Sequence, residues 1–250
     1  MALVPVVTFG LMIGSFLNVV IARVPERRSL WMPGSTCPEC GHAIAWHDNI
    51  PVLSFFLLRG RCRACAAPIP WRYPIVEAIT AALFAAAWLR FGADVRQFIV
   101  AVVFLAALVA ITVIDLRHQI IPDAITLPGV VAGVVAALAT HRIAWVDSVA
   151  GILLGSGLFV AVIVVSRGGM GGGDLKLGAM LGAFLGWQAL LVGLFIAVML
   201  GGMLAVVLLA SRRVARKDAI PFGPFLAIGG AAALFWSDAI LAWYVGGFER

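Results

Sequence analysis

Long apolar segments dominate the chain and limit the folds that it can adopt. Of its 250 residues, 63% are hydrophobic and only 12% are charged, which is about half the charged fraction of an ordinary soluble domain. Several apolar runs reach or approach the roughly 20 residues that a helix needs to cross a bilayer. No charge precedes Arg23, so the first run is expected to be a retained helix rather than a signal peptide. The sequence predicts an all-α, polytopic membrane protein.

Eight transmembrane helices fit the charge pattern best. With both termini outside, most lysines and arginines lie on one membrane side, which the positive-inside rule makes cytoplasmic. The sixth helix is short, about 20 Å. Fusing it with the seventh would give seven helices and move the basic segment RRVARK, residues 212–217, to the outer side. The predicted helices span residues 3–22, 73–91, 97–115, 123–139, 146–166, 174–186, 188–210 and 222–246. The basic excess then reflects orientation and contact with membrane lipid, and no nucleic-acid partner is expected.

All four cysteines lie in one polar loop, which divides the chain into three predicted domains. These are a first transmembrane helix at 1–22, a cytoplasmic tetracysteine domain at 23–72 and a transmembrane domain at 73–250. The cysteines form two C-x-x-C pairs, in CPECGH and CRACAA, and are Cys37, Cys40, Cys62 and Cys65. Such pairs are typical of a tetrahedral zinc site, which has no open position and is therefore structural. Disulfides are the alternative, although a cytosolic loop disfavours them; His42 or His47 could replace one ligand.

The first helix carries small and polar residues on one face. Gly10, Gly14 and Asn18 lie four residues apart, in FGLMIGSFLNVV. Small residues permit close helix contact, and an asparagine in lipid needs a partner, so a packing face is the simpler interpretation. A place beside a substrate or cofactor is the alternative. Glu77, early in the second helix, could be a helix-terminus charge or line a polar cavity.

Two aspartates are predicted to meet near one membrane surface. Asp115 ends an apolar run in AITVIDLRHQIIPD, and Asp174 follows glycines in GGMGGGDLKLG. Two membrane crossings separate them, so the chain returns to the same side. Close carboxylates share a proton because both cannot ionise cheaply, and such a pair can activate water against a peptide carbonyl. Glycines beside the pair, Gly171–Gly173, would let an extended substrate approach the backbone.

Simpler roles for these carboxylates are also open. Asp174 could be only a helix N-cap, and Asp115 could be an interfacial charge paired with Arg117 or His118. Asp123, which opens the fourth helix after Pro122, is best interpreted as an N-cap. A transporter would use intramembrane carboxylates equally well.

The motifs together resemble the bifunctional type IV prepilin peptidases. The resemblance covers nearly the whole chain, and the combination of I-D-x-x-x-x-x-I-P-D with a later G-x-G-D is specific. The matching segments, in order, are GSFLNVVIARVP, CPECGHAIAWHDNIPVLSF, LRGRCRACAAPIPWRYPIVE, IDLRHQIIPD, GMGGGDLKLGAMLGAFLGW and IPFGPFLAIGG.

The resemblance implies an activity, a cofactor and a location. Enzymes of this family cleave the basic leader of prepilins or type II secretion pseudopilins after a glycine, and then methylate the new N-terminal residue with S-adenosylmethionine. The family's catalytic aspartates correspond to Asp115 and Asp174. The implied location is the bacterial inner membrane, with periplasmic termini and a cytoplasmic catalytic face. No residue is assigned to the methyl donor by chemistry; Gly14, Asn18 and Glu77 are weak candidates.

Three other functions compete with this interpretation. A presenilin-type protease would carry P-A-L near the last helix, where this chain has IPFGPF. A proton-coupled transporter using Asp115 and Asp174 should show repeated halves with broken helices. An inactive zinc-bearing scaffold of a secretion machine would leave the glycine–aspartate element unexplained.

Overall fold

The structure of the protein is a computed structural model that describes residues 2–32, 34–166, 171–211 and 221–248. Over these residues it is helical, with two isolated β-bridges and no strand. The predicted all-α class is confirmed. The helices are α1 (Leu3–Arg23), α2 (Leu53–Leu57), α3 (Arg72–Phe91), α4 (Val95–His118), α5 (Asp123–Thr140), α6 (Trp145–Val165), α7 (Gly172–Ala210) and α8 (Gly223–Phe248).

Seven helices in the described residues are long and apolar enough to cross a membrane. They are all the helices above except the five-residue α2. The count of eight is therefore not confirmed, because the predicted sixth and seventh helices form the single 39-residue helix α7. The basic segment 212–217, on which the orientation argument partly depends, lies outside the described residues.

Helix α7 is nevertheless broken where the sequence predicted a boundary. Gly186 has φ 75° and ψ 168°, a combination that is essentially restricted to glycine. In a straight helix, Gly178 and Leu190 would lie about 18 Å apart, yet the carbonyl of Gly178 and the side chain of Leu190 both approach Gly155. The chain therefore turns back at Gly186, with a first limb about 21 Å long.

The chain divides into two compact units, residues 1–110 and 111–250. In the first unit, α1 packs against α3 with almost no side chain between their backbones. A Cβ added at Gly10 would lie 2.7 Å from Cα of Ala81, and one added at Gly14 would lie 2.6 Å from Cα of Glu77. The predicted packing face of the first helix is thus the α1–α3 contact, which runs antiparallel.

Glycine contacts also hold the second unit together. Gly151 and Gly155 of α6 face Gly182 and Gly178 of α7, so these two segments run antiparallel at backbone contact. The returning limb of α7 meets α8 in the same way, through Gly193 and Gly229. Because lipid offers little hydrophobic drive between helices, such close backbone packing is a main source of their association. This packing brings the start of α7 and the start of α8 to the end of α4.

Candidate active site

Asp115 lies in the last turn of α4 and is almost enclosed. Only 5% of the Asp115 surface is exposed. Its Oδ2 accepts a hydrogen bond of 3.0 Å from the backbone N–H of Gly223. That N–H opens α8, where the first amides of a helix have no intrahelical partner. The structure thus places the Asp115 carboxylate on the N-terminus of α8.

Gly223 is a site residue that the sequence analysis did not single out. A Cβ at this position would lie 2.6 Å from Oδ2 of Asp115 and 3.3 Å from Cδ1 of Ile121. Only glycine leaves room for the carboxylate there. The sequence signal was present in IPFGPF, where a glycine between Phe222 and Pro224 precedes a long apolar run.

Asp174 lies in the first turn of α7 and is 9% exposed. The N-cap position of this helix is Gly171, and no side chain caps it, so the N-cap alternative for Asp174 does not hold. Ile121 joins the two parts of the site, because its side chain would contact a Cβ at Gly173 as well as one at Gly223. The Asp174 carboxyl lies within electrostatic range of Asp115.

The arrangement brings two buried carboxylates from different helices together. Burial penalises the charged form of each, and two like charges in a region of low dielectric cannot both form cheaply. Such a pair holds one proton between two groups and can give and take protons at one point.

The three glycines before Asp174 differ in their surroundings. Among the described residues, nothing lies within 4 Å of a Cβ added at Gly172, and the nearest atom to one at Gly171 is Oδ2 of Asp174, at 3.9 Å. Gly173 is packed, since its Cβ would be 2.9 Å from Cβ of Ile121. Open backbone therefore flanks the Asp174 carboxylate at Gly171 and Gly172, whereas Gly173 permits close packing.

A third aspartate at this end of the second unit, Asp123, has a different partner. Asp123 begins α5 and makes no side-chain cap bond, so the predicted N-cap is wrong. Its carboxylate instead accepts two hydrogen bonds, of 2.6 and 2.7 Å, from Nζ of Lys176. This ion pair joins the beginnings of α5 and α7 and engages Lys176, which lies two residues after Asp174.

The four cysteines form a compact cluster in the first unit. The sulfur atoms of Cys37, Cys40, Cys62 and Cys65 all lie within 4.8 Å of one another. The Sγ atoms of Cys37 and Cys65 are 3.8 Å apart, which is about the separation that four Zn–S bonds of roughly 2.3 Å give in a tetrahedron. All four cysteines are free thiols, and His42 and His47 lie outside the cluster.

The two cysteine pairs sit on equivalent backbone turns. Thr36 bridges to Ala43 in the first turn, and Arg61 bridges to Pro68 in the second. The N–H of Cys37 donates to the carbonyl of His42, as that of Cys62 does to Ala67, at 2.9 and 2.8 Å. Segments 35–44 and 60–69 are thus a short structural repeat, which the sequence analysis missed because few of their side chains are alike.

The turns also act on the charge of the thiols and of their neighbours. Hydrogen bonds from the backbone N–H groups of Cys40 and Glu39 lower the pKa of Cys37 to about 7. Arg63, inside the second turn, makes two hydrogen bonds of 2.7 and 2.6 Å to Asp48 and holds the pKa of that carboxyl below its usual range. The Arg63–Asp48 pair ties the two halves of the loop together beside the cysteine cluster.

The three weak candidates for the methyl-donor site have protein partners. Asn18 donates to the carbonyl oxygens of Gly14 and Tyr73, at 3.3 and 3.2 Å. Gly14 lies under the backbone of Glu77, and the Glu77 carboxylate accepts a 2.7 Å hydrogen bond from the N–H of Val52. These contacts favour a packing role for Gly14 and Asn18; the assignment of any of the three to a cofactor stays a prediction.

A multi-pass helical membrane protein with two adjacent buried carboxylates has the make-up of a membrane-embedded aspartic peptidase, and comparison with known proteins agrees with that class. The family model described as Bacterial Peptidase A24 N-terminal domain matches residues 8–91. The model described as Type IV leader peptidase family matches residues 102–206. No solved structure matches the chain.

Several curated relatives align with most of the chain, and each carries the name prepilin leader peptidase/N-methyltransferase. The relative from Aeromonas hydrophila is 40% identical over 269 residues, covering 96% of this chain and 92% of its own. That from Myxococcus xanthus is 45% identical, over 80% of this chain and 61% of its own. That from Bacillus subtilis is 35% identical, over 95% of both. The chain belongs to the prepilin leader peptidase/N-methyltransferase family, which confirms the resemblance.

Proposed function

We propose that the chain cleaves the basic leader from type IV prepilins or pseudopilins after a glycine, and then N-methylates the residue that becomes N-terminal. The observation that supports the first activity is the pairing of buried Asp115 and Asp174 beside the N-terminus of α8. Family membership supports both activities, because the relatives are named for both.

The carboxylate pair is proposed to act on water. One ionised carboxylate accepts a proton from a water molecule as the oxygen attacks the peptide carbonyl. The protonated partner donates its proton to the developing oxyanion. As the peptide bond breaks, the first carboxyl passes the proton that it took from water to the departing amine, and the partner regains its own proton from the hydroxyl as the carbonyl re-forms. The two groups titrate as a unit, so neither aspartate is given a fixed starting role. The N–H of Gly223 holds one oxygen of Asp115 in place, which reduces the reorganisation needed during the reaction.

Gly171 and Gly172 are proposed to receive the substrate backbone. No described residue fills the space beside their Cα atoms, and the nearest group in the described part of the chain is Oδ2 of Asp174. An extended peptide could therefore lie close to the carboxylate without meeting a side chain. Gly173 contributes by packing against Ile121 rather than by contact with the peptide.

The tetracysteine cluster is proposed to hold one structural zinc ion. The donor set fits this metal, since four thiols lie at tetrahedral spacing and zinc prefers such closed sulfur sites. The loop that carries them is small and its aromatic side chains are largely exposed, as for Trp31 and Trp46, so metal binding can supply folding free energy. S-adenosylmethionine, when bound, would supply the methyl group to the new N-terminal amine. We assign methyl transfer to the first compact unit, which contains the cysteine loop.

The proposed location is the inner membrane, with the loop and the carboxylate pair at the cytoplasmic surface. Two crossings, α3 and α4, separate the loop from Asp115 along the chain. The arginines of the loop support the orientation by the positive-inside rule. Contact with membrane lipid follows from the exposed apolar side chains of the spanning helices, such as Leu89, Val165 and Trp243.

The test is to incubate the purified protein in detergent with a model prepilin, with and without S-adenosylmethionine, and to weigh the products. We expect leader removal in both samples and one added methyl group only with the donor. An uncut prepilin would contradict the peptidase, and a product that is cut but never methylated would contradict the transferase. A proton-coupled transporter would leave the prepilin intact in both samples.

A further inference from the structure

The backbone at Val52 adopts angles that a β-branched residue rarely takes. Its φ is 61° and its ψ is −50°, and the N–H of Leu53 donates to the carbonyl of Pro51 at 2.6 Å. A hydrogen bond between residues two apart, around a positive φ, defines the strained form of γ-turn. Strain of this kind persists only where the surroundings hold the turn.

Glu77 provides such a hold from a membrane-spanning helix. Its carboxylate accepts the 2.7 Å hydrogen bond from the N–H of Val52. Glu77 is 7% exposed, and a Cβ at Gly14 would lie 2.6 Å from its Cα. The carboxylate therefore connects α3 to the γ-turn, and Gly14 lets the backbone of α3 lie against α1 at the same residue.

The γ-turn sets the direction of the short helix α2, which starts at the next residue. The Phe55 and Phe56 rings of α2 lie 4.8 and 6.3 Å from the Trp71 ring. These three rings form part of the wall of a cavity of about 580 Å³, whose lining also includes Arg59 and Arg61. That volume is in the range of small-molecule sites. The position of α2 therefore decides the shape of a cavity between the second cysteine turn and the start of α3.

We propose that Glu77 is a positioning residue for methyl transfer, which acts by clamping the γ-turn at Val52 and so holding α2 and its aromatic cavity against the α1–α3 pair. The inference rests on the proposed function in so far as methyl transfer belongs to this unit. Glu77 acts through Val52 and needs no contact with the methyl donor. Glu77 matters because it opposes the backbone strain at Val52. A substitution that removes this strain should therefore make Glu77 dispensable.

Four variants separate a clamp from a direct chemical role. Glu77→Ala removes the acceptor; if it fails to fold, Glu77→Met removes the acceptor and keeps the side-chain length. Glu77→Gln keeps an acceptor oxygen and removes the charge. Val52→Gly keeps the N–H but allows the positive φ without strain, and the double variant combines Val52→Gly with Glu77→Ala. Methylation, cleavage and hydrogen–deuterium exchange over residues 50–58 are measured on each.

A clamp predicts a defined pattern. Glu77→Ala should slow methylation on the order of tenfold through misplacement of α2, leave cleavage within about threefold because the carboxylate pair lies elsewhere in the chain, and speed exchange over residues 50–58. Glu77→Gln should behave like the parent protein. Val52→Gly alone should be nearly neutral, and in the double variant it should restore most of the methylation lost in Glu77→Ala.

Other patterns overturn the proposal. Loss of methylation in Glu77→Gln, or a double variant as impaired as Glu77→Ala, would show that the carboxylate itself takes part in the chemistry. Unchanged exchange in Glu77→Ala would show that no clamp exists. Should the parent protein cut prepilin without methylating it, the proposed transferase function fails, whereas exchange over residues 50–58 in Glu77→Ala still decides whether the clamp exists.

Discussion

The backbone N–H of Gly223 points at the carboxylate of Asp115, 3.0 Å from Oδ2. One residue opens α8 and the other closes α4, so the bond joins two membrane-spanning helices at a single buried carboxylate. A side chain on Gly223 would overlap that carboxylate, with 2.6 Å between the added Cβ and Oδ2.

Gly223→Ala should therefore impair cleavage without removing any chemical group. Asp115 or α8 must shift to accept the methyl group, and misplacement of a reacting group by about 1 Å costs roughly 100-fold. We expect cleavage to fall between 10- and 100-fold, measured as initial rate on a model prepilin. Gly202→Ala is the matched control, because no atom of the residues that the structure describes lies within 4 Å of a Cβ there. Equal activity of the two variants would show that the Asp115–Gly223 contact does not matter.

The turn in α7 should depend on Gly186. Its φ of 75° and ψ of 168° are disfavoured for any residue with a Cβ, so Gly186→Ala should cost about 1–3 kcal/mol. We expect the apparent Tm in detergent to fall by roughly 2–12 °C. Gly157→Ala, at an open position of α6, should leave it unchanged or slightly higher. A Gly186→Ala protein as stable as this control would mean that the chain does not reverse at this residue.

Helix positions and the carboxylate pair could be predicted from the sequence because both depend on patterns within short segments. Apolar run length located the spans, and the end of the predicted sixth helix fell on Gly186 itself. Two predicted membrane crossings separate Asp115 from Asp174, and an even number of crossings predicts that both residues lie at the same membrane surface. The number of spans was less secure, since a 39-residue helix with an internal turn has the composition of one span or of two.

Contacts between distant segments could not be predicted in the same way. Nothing local to IPFGPF shows that Gly223 faces a carboxylate more than 100 residues away. The γ-turn at Val52 runs against the preference of valine, and the carboxylate that accepts its N–H belongs to Glu77, 25 residues further along the chain. The repeat of the two cysteine turns lies in backbone hydrogen bonds, with little likeness between the side chains.

Metal analysis should find one tightly bound zinc ion per chain after purification without chelator. The thiol spacing fits the ion, and the site has no free position at which water would weaken it. A strong chelator should expose the loop to proteolysis within residues 24–71 while the spanning helices stay protected. A zinc content near zero, together with two disulfides found by mass, would refute both the metal and the cytosolic location.

Loss of the metal should separate the two proposed activities. Serine at both Cys37 and Cys40 removes half of the ligands and should unfold the loop. We expect methylation to be lost and cleavage to be reduced but retained, because the carboxylate pair needs neither metal nor methyl donor. The mature pilin made by this variant should be cut but lack one methyl group. Intact methylation with loss of cleavage would assign the loop to the peptidase instead.

Replacement of each aspartate in turn tests whether Asp115 and Asp174 together form the peptidase centre. Asp115→Asn and Asp174→Asn keep side-chain size but remove the shared proton on which the pair depends. Leader removal from a model prepilin is measured by mass, and insertion and Tm are compared with those of the parent protein. We expect each folded variant to leave the prepilin uncut. Substantial cleavage by either folded variant would contradict the carboxylate pair as the peptidase centre.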